Sequence, residues 1–300
     1  MRYATAAAFR TALEQRLKNE HQRTGVPLVR LRKAVAFDRL LARLLEVAPE
    51  RWVLKGAVAL DFRLGLPTRM TKDIDLGRRD SEEAATEDFI AAQGVDLDDF
   101  FTFEIERTPA FDRTAEPATV RYSARSLLAG RVWEEFPVDV AFSDQLAWEP
   151  DRLRGRALLE FAGISPIEVP AVPLAQHLAE KLHAYTGVYG EGGLGSTRVK
   201  DLIDMALVRF GSRPRATEVA EALRKTFDTR GRQPLPAALP VPPPEWAMPY
   251  GELARAVGLD EDLAAGHAAA AALLDPVLAG QAQGQWDPHR GTWVEAPAQT

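Results

Sequence analysis

The stretch Trp52-Val-Leu-Lys-Gly-Ala-Val-Ala-Leu-Asp-Phe-Arg-Leu-Gly-Leu-Pro-Thr-Arg-Met-Thr-Lys-Asp-Ile-Asp-Leu76 decides the predicted fold. A short apolar run breaks at Lys55-Gly56, a helical pattern follows, and the stretch ends with two carboxylates that alternate with apolar residues. That alternation predicts a strand with one buried face, so Asp73 and Asp75 project from the same side. Two carboxylates that close repel each other unless a proton or a cation lies between them. A divalent metal ion with oxygen ligands is the simplest explanation.

Composition limits the possible classes of protein. The chain has 300 residues, of which 46% are hydrophobic and 27% are charged, and this balance is typical of a globular protein. A formal net charge of -6 argues against unspecific coating of nucleic acid, although it leaves room for a local basic patch. The chain has no cysteine, so disulfides and thiolate metal sites are impossible. We find neither a signal-peptide pattern nor an apolar run that spans a membrane, and we expect a cytoplasmic protein with no membrane contact.

Strand patterns and helix patterns occupy different parts of the chain. Before residue 150, alternating runs predict strands at 101–106, 118–123 and 136–142. After it, apolar stripes predict helices at 174–186, 198–210, 216–227, 250–257 and 261–278, with a proline-rich connector at 233–244. We therefore predict an α+β protein with an N-terminal domain at 1–165 and a helical C-terminal domain at 166–300.

An early helix, predicted from Leu28 to Val47, carries five basic residues beside its apolar stripe. A solvated helix face is the preferred interpretation, and an RNA-contact face is the alternative. The five residues are Arg30, Arg32, Lys33, Arg39 and Arg43.

Two isolated charges interrupt apolar patterns further along the chain. Asp139 lies within Pro137-Val-Asp-Val-Ala-Phe142, where an unpaired buried charge is costly. An exposed edge strand would explain it, but a third carboxylate for a metal or a general base is favoured. Lys181 lies on or beside the apolar stripe of its helix, so it either extends to water or meets an anion. A glycine turn into a helix, paired carboxylates and a third carboxylate together suit two-metal phosphoryl or nucleotidyl transfer.

In this order, the motifs resemble those of the AbiEii/AbiGii-type nucleotidyltransferase toxins of bacterial toxin–antitoxin and phage-defence systems, which include mycobacterial members. The resemblance covers roughly Leu28 to Gly280. It is carried by the opening stretch and by three later motifs, which are Pro137-Val-Asp139-Val, Ala179-Glu-Lys-Leu-His-Ala184 and Arg198-Val-Lys-Asp-Leu-Ile-Asp204.

The resemblance implies a DNA-polymerase-β-like nucleotidyltransferase fold with a helical C-terminal half. It implies that Asp73, Asp75 and Asp139 bind Mg²⁺ or Mn²⁺, and that Lys181 meets the triphosphate. Asp204 completes the pocket, with Asp201 as its rival. We further assign the nucleotide to Lys55, Gly56, Ala57, Arg69 and Lys72, and RNA to Arg63, Arg198 and Lys200. Similar toxins transfer nucleotides to the tRNA acceptor end and block translation, and a separately encoded antitoxin is expected.

The chain departs from the family pattern at Ala57, where a second glycine or a serine is usual. Ala57 brings no hydroxyl, so the turn must bind phosphate through backbone N–H groups. Two alternatives to tRNA modification stay open. One is transfer to a small molecule or a protein hydroxyl, and the other is a non-catalytic module that binds a partner. Nothing in the sequence requires more than a monomer.

Overall fold

The computed structural model describes residues 2–65, 69–108, 119–142, 148–189, 194, 195 and 198–295. The chain folds into two compact units. The N-terminal unit comprises Met1–Phe62 and Met70–Val172, and the C-terminal unit comprises Arg63–Arg69 and Pro173–Thr300. The short segment at 63–69 therefore belongs to the unit that is mostly built from the later chain. The predicted domain boundary at 165 and 166 precedes the last strand of the N-terminal unit.

The helices of the N-terminal unit follow from local sequence signals. They are α1 (Ala6–Thr24), α2 (Leu28–Val47), α3 (Gly56–Leu64), whose last two residues fall in the other unit, and α4 (Glu82–Gln93). The Thr5 side chain caps α1, and Ser81 caps α4 as its position before an acidic first turn predicts. In α1, Phe9 and Leu13 are fully buried, four residues apart, so one stripe of the helix reaches the core.

The strands of the N-terminal unit make one mixed sheet. They are β1 (Val53–Leu54), β2 (Ile74–Arg78), β3 (Phe101–Arg107), β4 (Thr119–Leu128), β5 (Arg131–Phe142), β6 (Asp151–Arg154) and β7 (Glu168–Ala171). Their order across the sheet is β3-β4-β5-β2-β1-β7-β6. The pairs β2–β5 and β1–β7 are parallel, and the other pairs are antiparallel. The strands predicted at 101–106, 118–123 and 136–142 are confirmed over the described residues, although β4 and β5 extend further than predicted. Residue 118 lies outside the described residues. Because β5 lies inside the sheet, Asp139 is not an edge-strand residue.

The basic residues of α2 do not form a solvated face, and this preferred interpretation is wrong. Arg39 and Arg43 are buried and pair with Asp99, which is fully buried. Arg30 pairs with Asp61. The remaining two bases, Arg32 and Lys33, both pair with Glu134. Arg39 also pairs with its sequence neighbour Asp38, but the partners named above lie far away in sequence. Burial of these paired charges fastens α2 to the rest of its unit.

The C-terminal unit is built mainly from helices. The described residues contain α5 (Leu174–Tyr185), α6 (Val199–Gly211), α7 (Ala216–Arg230), α8 (Ala247–Val257) and α9 (Leu263–Leu278). Two short strand pairs accompany them, β8 (Val188–Tyr189) with β9 (Leu194–Gly195), and β10 (Gln285–Asp287) with β11 (Thr292–Val294). A sheet with helices followed by a helical unit confirms the predicted α+β class.

The proline-rich connector and the last strand pair are both fastened to the C-terminal unit. The Tyr185 hydroxyl donates to the Pro240 carbonyl oxygen at 2.7 Å, and the Leu239 N–H donates to Asp275 at 2.8 Å. The Trp286 side chain is buried and meets the Trp293 ring edge-on at 5.6 Å. Trp286 and Trp293 thus anchor the polar C-terminal segment to its unit, as buried aromatic side chains commonly do.

No helix within the described parts of the chain combines the length and the apolar character needed to cross a bilayer.

Candidate active site

The turn between β1 and α3 requires glycine. Gly56 has a φ of +60°, which side chains rarely adopt, and a Cβ atom there would lie 1.8 Å from an Asp75 carboxylate oxygen. The N–H of Lys55 donates to the Asp75 carbonyl oxygen at 2.9 Å. Ala57 is buried and adds only a methyl group. The first turn of α3 therefore lies directly beside Asp75, and only glycine leaves room for that carboxylate.

Asp75 and Asp139 face each other across two neighbouring strands. They are register partners in the parallel pair β2–β5, while Ile74 and Val138, the preceding pair, are fully buried. Side chains alternate along each strand, so the two carboxylates share the face opposite these apolar residues. Asp73 comes one residue before β2 and accepts a 2.5 Å hydrogen bond from the Thr71 hydroxyl. We call Asp73, Asp75 and Asp139 the strand carboxylates.

Arg121, which the sequence patterns did not single out, contacts one of the strand carboxylates. Its guanidinium donates to both oxygens of Asp139, at 2.6 and 2.7 Å, from the facing position of β4. The Arg121 side chain is 27% exposed and that of Asp139 is 14% exposed. Hydrogen bonding to Asp139, together with attraction from Asp139, Asp73 and Asp75, raises the pKa of Arg121 above its ordinary value. One guanidinium thus balances part of the charge of three carboxylates.

The register that brings Arg121 to Asp139 depends on a β-bulge. Leu127 pairs with Val132, but Ser126 pairs with Glu134, so Trp133 is an extra residue on β5. Counting back from the turn without this bulge would place Arg121 opposite Val138. A bulge shifts every later pair by one residue, which exchanges the two faces of a strand. This is why the alternation at Val120-Arg-Tyr122 alone does not reveal the ion pair.

The strand carboxylates offer ligands of the right chemistry for a divalent cation. Carboxylate oxygens are the donors that Mg²⁺ and Mn²⁺ prefer, and Gly56 keeps the space beside Asp75 open. Among the described residues, no three Asp, Glu, His or Cys side chains converge as a formed metal site. Asp139 instead contacts Arg121. The strand carboxylates therefore fit a divalent cation in their chemistry, and one of them, Asp139, is paired with Arg121.

A second group of charged residues lies within the C-terminal unit. The Lys181 ammonium on α5 lies 2.9 Å from Asp201 and 2.8 Å from Asp204. The two aspartates are three residues apart and therefore share a face of α6. Lys181 thus contacts both of the aspartates that the sequence presented as rivals.

Two arginines complete this group, which we call the lysine cluster: Arg69, Lys181, Arg198, Asp201 and Asp204. Arg69 donates to both oxygens of Asp204, at 2.9 and 3.0 Å. Arg198 pairs with Asp201 at 2.6 Å and is 52% exposed, whereas the Lys181 side chain is only 12% exposed. Among the described side chains of the cluster, three bases therefore meet two acids.

Burial and charge oppose each other within the lysine cluster. Burial disfavours ionisation of Asp204, but Lys181 and Arg69 outweigh it and lower the pKa of that carboxyl. Burial also disfavours the charged form of Lys181, yet Asp204 and Asp201 raise its pKa. His177, one turn before Lys181, is buried, and burial together with the nearby ammonium lowers its pKa to about 3. Lys181 and Asp204 are therefore ionised, beside a neutral imidazole, at neutral pH.

One protein family matches most of the chain. Its profile, described as "Nucleotidyl transferase AbiEii toxin, Type IV TA system", matches residues 39–285. The chain belongs to the AbiEii nucleotidyltransferase toxin family. This AbiEii-family chain is therefore a nucleotidyltransferase toxin of a type IV toxin–antitoxin system. Membership implies a nucleotide substrate and a separate antitoxin.

Two solved structures are similar to this AbiEii-family chain. MenT4, a nucleotidyltransferase toxin from Mycobacterium tuberculosis, is 22% identical with a TM-score of 0.50, covering 86% of this chain and 85% of MenT4. JHP933 from Helicobacter pylori is 14% identical with a TM-score of 0.44, covering 83% of this chain and 93% of JHP933. A comparison with curated protein sequences gave no significant match. The MenT4 similarity supports the nucleotidyltransferase-toxin fold of this chain.

The remaining residues assigned from the sequence are divided between the two units. Lys55, Gly56, Ala57 and Lys72 belong to the N-terminal unit, and Lys72 is exposed. Arg63 lies in the last turn of α3 and Lys200 is exposed at the start of α6, both within the C-terminal unit. Arg69, assigned to the nucleotide, contacts Asp204.

Proposed function

We propose that this AbiEii-family toxin transfers a nucleotide from a nucleoside triphosphate to the 3′ acceptor end of tRNA, with Mg²⁺ or Mn²⁺ as cofactor. The observation that carries the metal-dependent part is the pairing of Asp75 with Asp139 beside the glycine turn into α3. The choice of tRNA rests on the family resemblance. Transfer to the acceptor end would block aminoacylation and hence translation.

In the proposed reaction, the strand carboxylates hold the metal, and the backbone N–H groups at Gly56 and Ala57 meet the phosphates. When bound, the metal supplies positive charge that stabilises the attacking and leaving oxygens. Asp139 orients the acceptor hydroxyl or takes its proton. The hydroxyl oxygen forms a bond to the α-phosphorus while the bond from that phosphorus to the pyrophosphate oxygen breaks. In this proposal Asp139 would therefore contact the cation and, during the reaction, the acceptor hydroxyl.

The lysine cluster suits an anion. We propose that Lys181 neutralises charge that develops on the departing pyrophosphate, while Asp201 and Asp204 hold its ammonium in place. Arg69 and Lys72 are proposed to contact the nucleotide, and Arg63, Arg198 and Lys200 the RNA. The described contacts of the cluster bring three bases, Arg69, Lys181 and Arg198, around two aspartates, and this concentration of bases supports the proposed role.

Transfer to a small molecule or a protein hydroxyl is the second candidate function. The net charge of -6 favours it, because tRNA binding needs a groove lined by bases. Two arginines that could have lined such a groove are engaged by acids, since Arg152 pairs with Glu50 and Arg156 with Asp61. A non-catalytic partner-binding role has less support, because the strand carboxylates and Lys181 are all present. We propose a monomer that acts in the cytoplasm.

A labelling experiment tests the proposed function. Purified protein is incubated with MgCl₂, total tRNA and each of the four α-labelled nucleoside triphosphates in turn. We expect label on tRNA with at least one nucleotide, and a loss of about a hundred- to a thousandfold in the Asp75→Asn variant. tRNA whose 3′ hydroxyl has been oxidised serves as the acceptor control and must stay unlabelled. Label on protein or on small molecules alone would favour the second candidate, and no label with any nucleotide would refute transferase activity.

A further inference from the structure

The Arg121 guanidinium engages both oxygens of Asp139, the atoms through which this carboxylate would contact a cation. Its planar guanidinium contacts both carboxylate oxygens at 2.6 and 2.7 Å, which is the strong two-bond arrangement of an arginine–carboxylate pair. Asp75 is the register partner of Asp139 on the other side, so Asp139 lies between an arginine and a second carboxylate. Neighbouring strands are about 4.8 Å apart, which brings all three groups within range of one another.

The negative charges of the strand carboxylates explain why a base, Arg121, lies beside them. Asp75 and Asp139 are register partners on neighbouring strands, so their carboxylates repel each other when no cation is bound. Arg121 supplies one positive charge and is attracted by all three of them. The guanidinium therefore stabilises the arrangement of the carboxylates in the metal-free protein. A divalent cation on the same carboxylate oxygens would bring two positive groups within a few ångströms of each other, and they would repel.

We propose that Arg121 is a positioning residue that competes with the divalent cation for Asp139. In the metal-free protein the guanidinium holds both oxygens of Asp139, and metal binding requires it to release at least one of them. Arg121 thereby keeps the carboxylate oriented before the substrate arrives and weakens binding of the metal alone. This inference rests on the proposed metal-dependent function.

The same pair of strands offers a matched control. Arg125 on β4 faces Glu135 on β5 and donates to it at 2.7 Å, as Arg121 does to Asp139. It also contacts Glu104 on β3 and is 50% exposed. Four residues of strand separate the two arginines, or about 13 Å. Arg125→Gln therefore removes an equivalent ion pair from the same face without changing the charge beside Asp139.

The experiment measures Mn²⁺ binding to the full chain by electron paramagnetic resonance of free Mn²⁺, without nucleotide and with a non-hydrolysable triphosphate. We expect Arg121→Gln to bind Mn²⁺ at least about fivefold more tightly than the wild type, the lower end of typical coupling between two sites. Arg125→Gln should match the wild type. Circular dichroism confirms folding. If the glutamine variant does not fold, Arg121→Lys replaces it, with a smaller tightening because lysine cannot make the two-bond contact.

Equal or weaker Mn²⁺ binding by the folded variant would overturn the inference, because it would show that Arg121 does not compete for Asp139. Absence of Mn²⁺ binding by both proteins under both conditions would overturn it as well. The labelling assay separates the two proposals. Wild-type protein that labels no acceptor refutes the function, whereas labelling with unchanged Mn²⁺ affinity in Arg121→Gln refutes only the role of Arg121.

Discussion

The strand carboxylates and the lysine cluster are both groups of charged side chains, but the contacts described within them differ in which sign of charge predominates. The described contacts of the first group set three acids against Arg121. Those of the second set three bases against Asp201 and Asp204. Burial differs as well, since both aspartates of the lysine cluster are almost fully buried. This difference supports the proposal that the first group binds a cation and the second an anion.

The largest predicted effect concerns stability. Lys181→Met leaves Asp201 and Asp204 buried with less compensation, so the free energy of unfolding should fall by about 3–5 kcal/mol. Asp75→Asn removes one of several repelling acids, and the metal-free variant should be as stable as the wild type or more stable. Urea denaturation in EDTA measures both. Equal losses in the two variants would show that the groups do not differ in the way their charges are balanced.

A smaller effect concerns pH and His177. The pKa of this buried imidazole is about 3 in the folded chain and 6.5 when unfolded, so the unfolded chain binds the extra proton between these values. The folded protein is therefore less stable as the pH falls through this window, by about 1.4 kcal/mol per pH unit. His177→Phe should remove that part of the slope between pH 6 and pH 4.5. The lowered pKa of Asp204 changes the stability only below pH 3.8, the ordinary pKa of an aspartate, and this is outside the measured pH range.

Urea denaturation at intervals across the same pH range measures the slope. His289→Phe is the control, because an exposed imidazole is solvated in the folded and unfolded chains alike. An unchanged slope in His177→Phe would mean that His177 is not held neutral beside Lys181.

Much of the strand-carboxylate site was predictable because its signals are local. The alternation at Asp73-Ile-Asp75, the break at Gly56 and the helical pattern after it all lie within one stretch of sequence, and each reflects a short-range rule of backbone geometry. The same holds for the apolar stripe that places Lys181 against the core of its unit. Side-chain spacing was enough to predict these positions.

Long-range pairing was not predictable in the same way. The partner of Arg121 depends on a bulge at Trp133 that shifts the register by one residue, and no local pattern indicates where that extra residue lies. The bases of α2 were interpreted as solvated for a related reason, because Asp99, the partner of Arg43, lies 56 positions later in the chain. A helical pattern shows which residues are polar, but it does not show which of them find buried partners.

The most direct test of the central claim is to measure cation and anion binding separately. Mn²⁺ is titrated without nucleotide, and a fluorescent non-hydrolysable triphosphate is titrated in EDTA, against wild type, Asp75→Asn and Lys181→Met/Asp201→Asn. The double variant removes one base and one acid together, which limits the loss of stability. We predict that Asp75→Asn weakens only Mn²⁺ binding and the double variant only triphosphate binding. Each loss should be at least tenfold, which corresponds to about 1.4 kcal/mol. Equal weakening of both ligands in either variant, or the reverse pattern, would contradict the division of roles between the two groups.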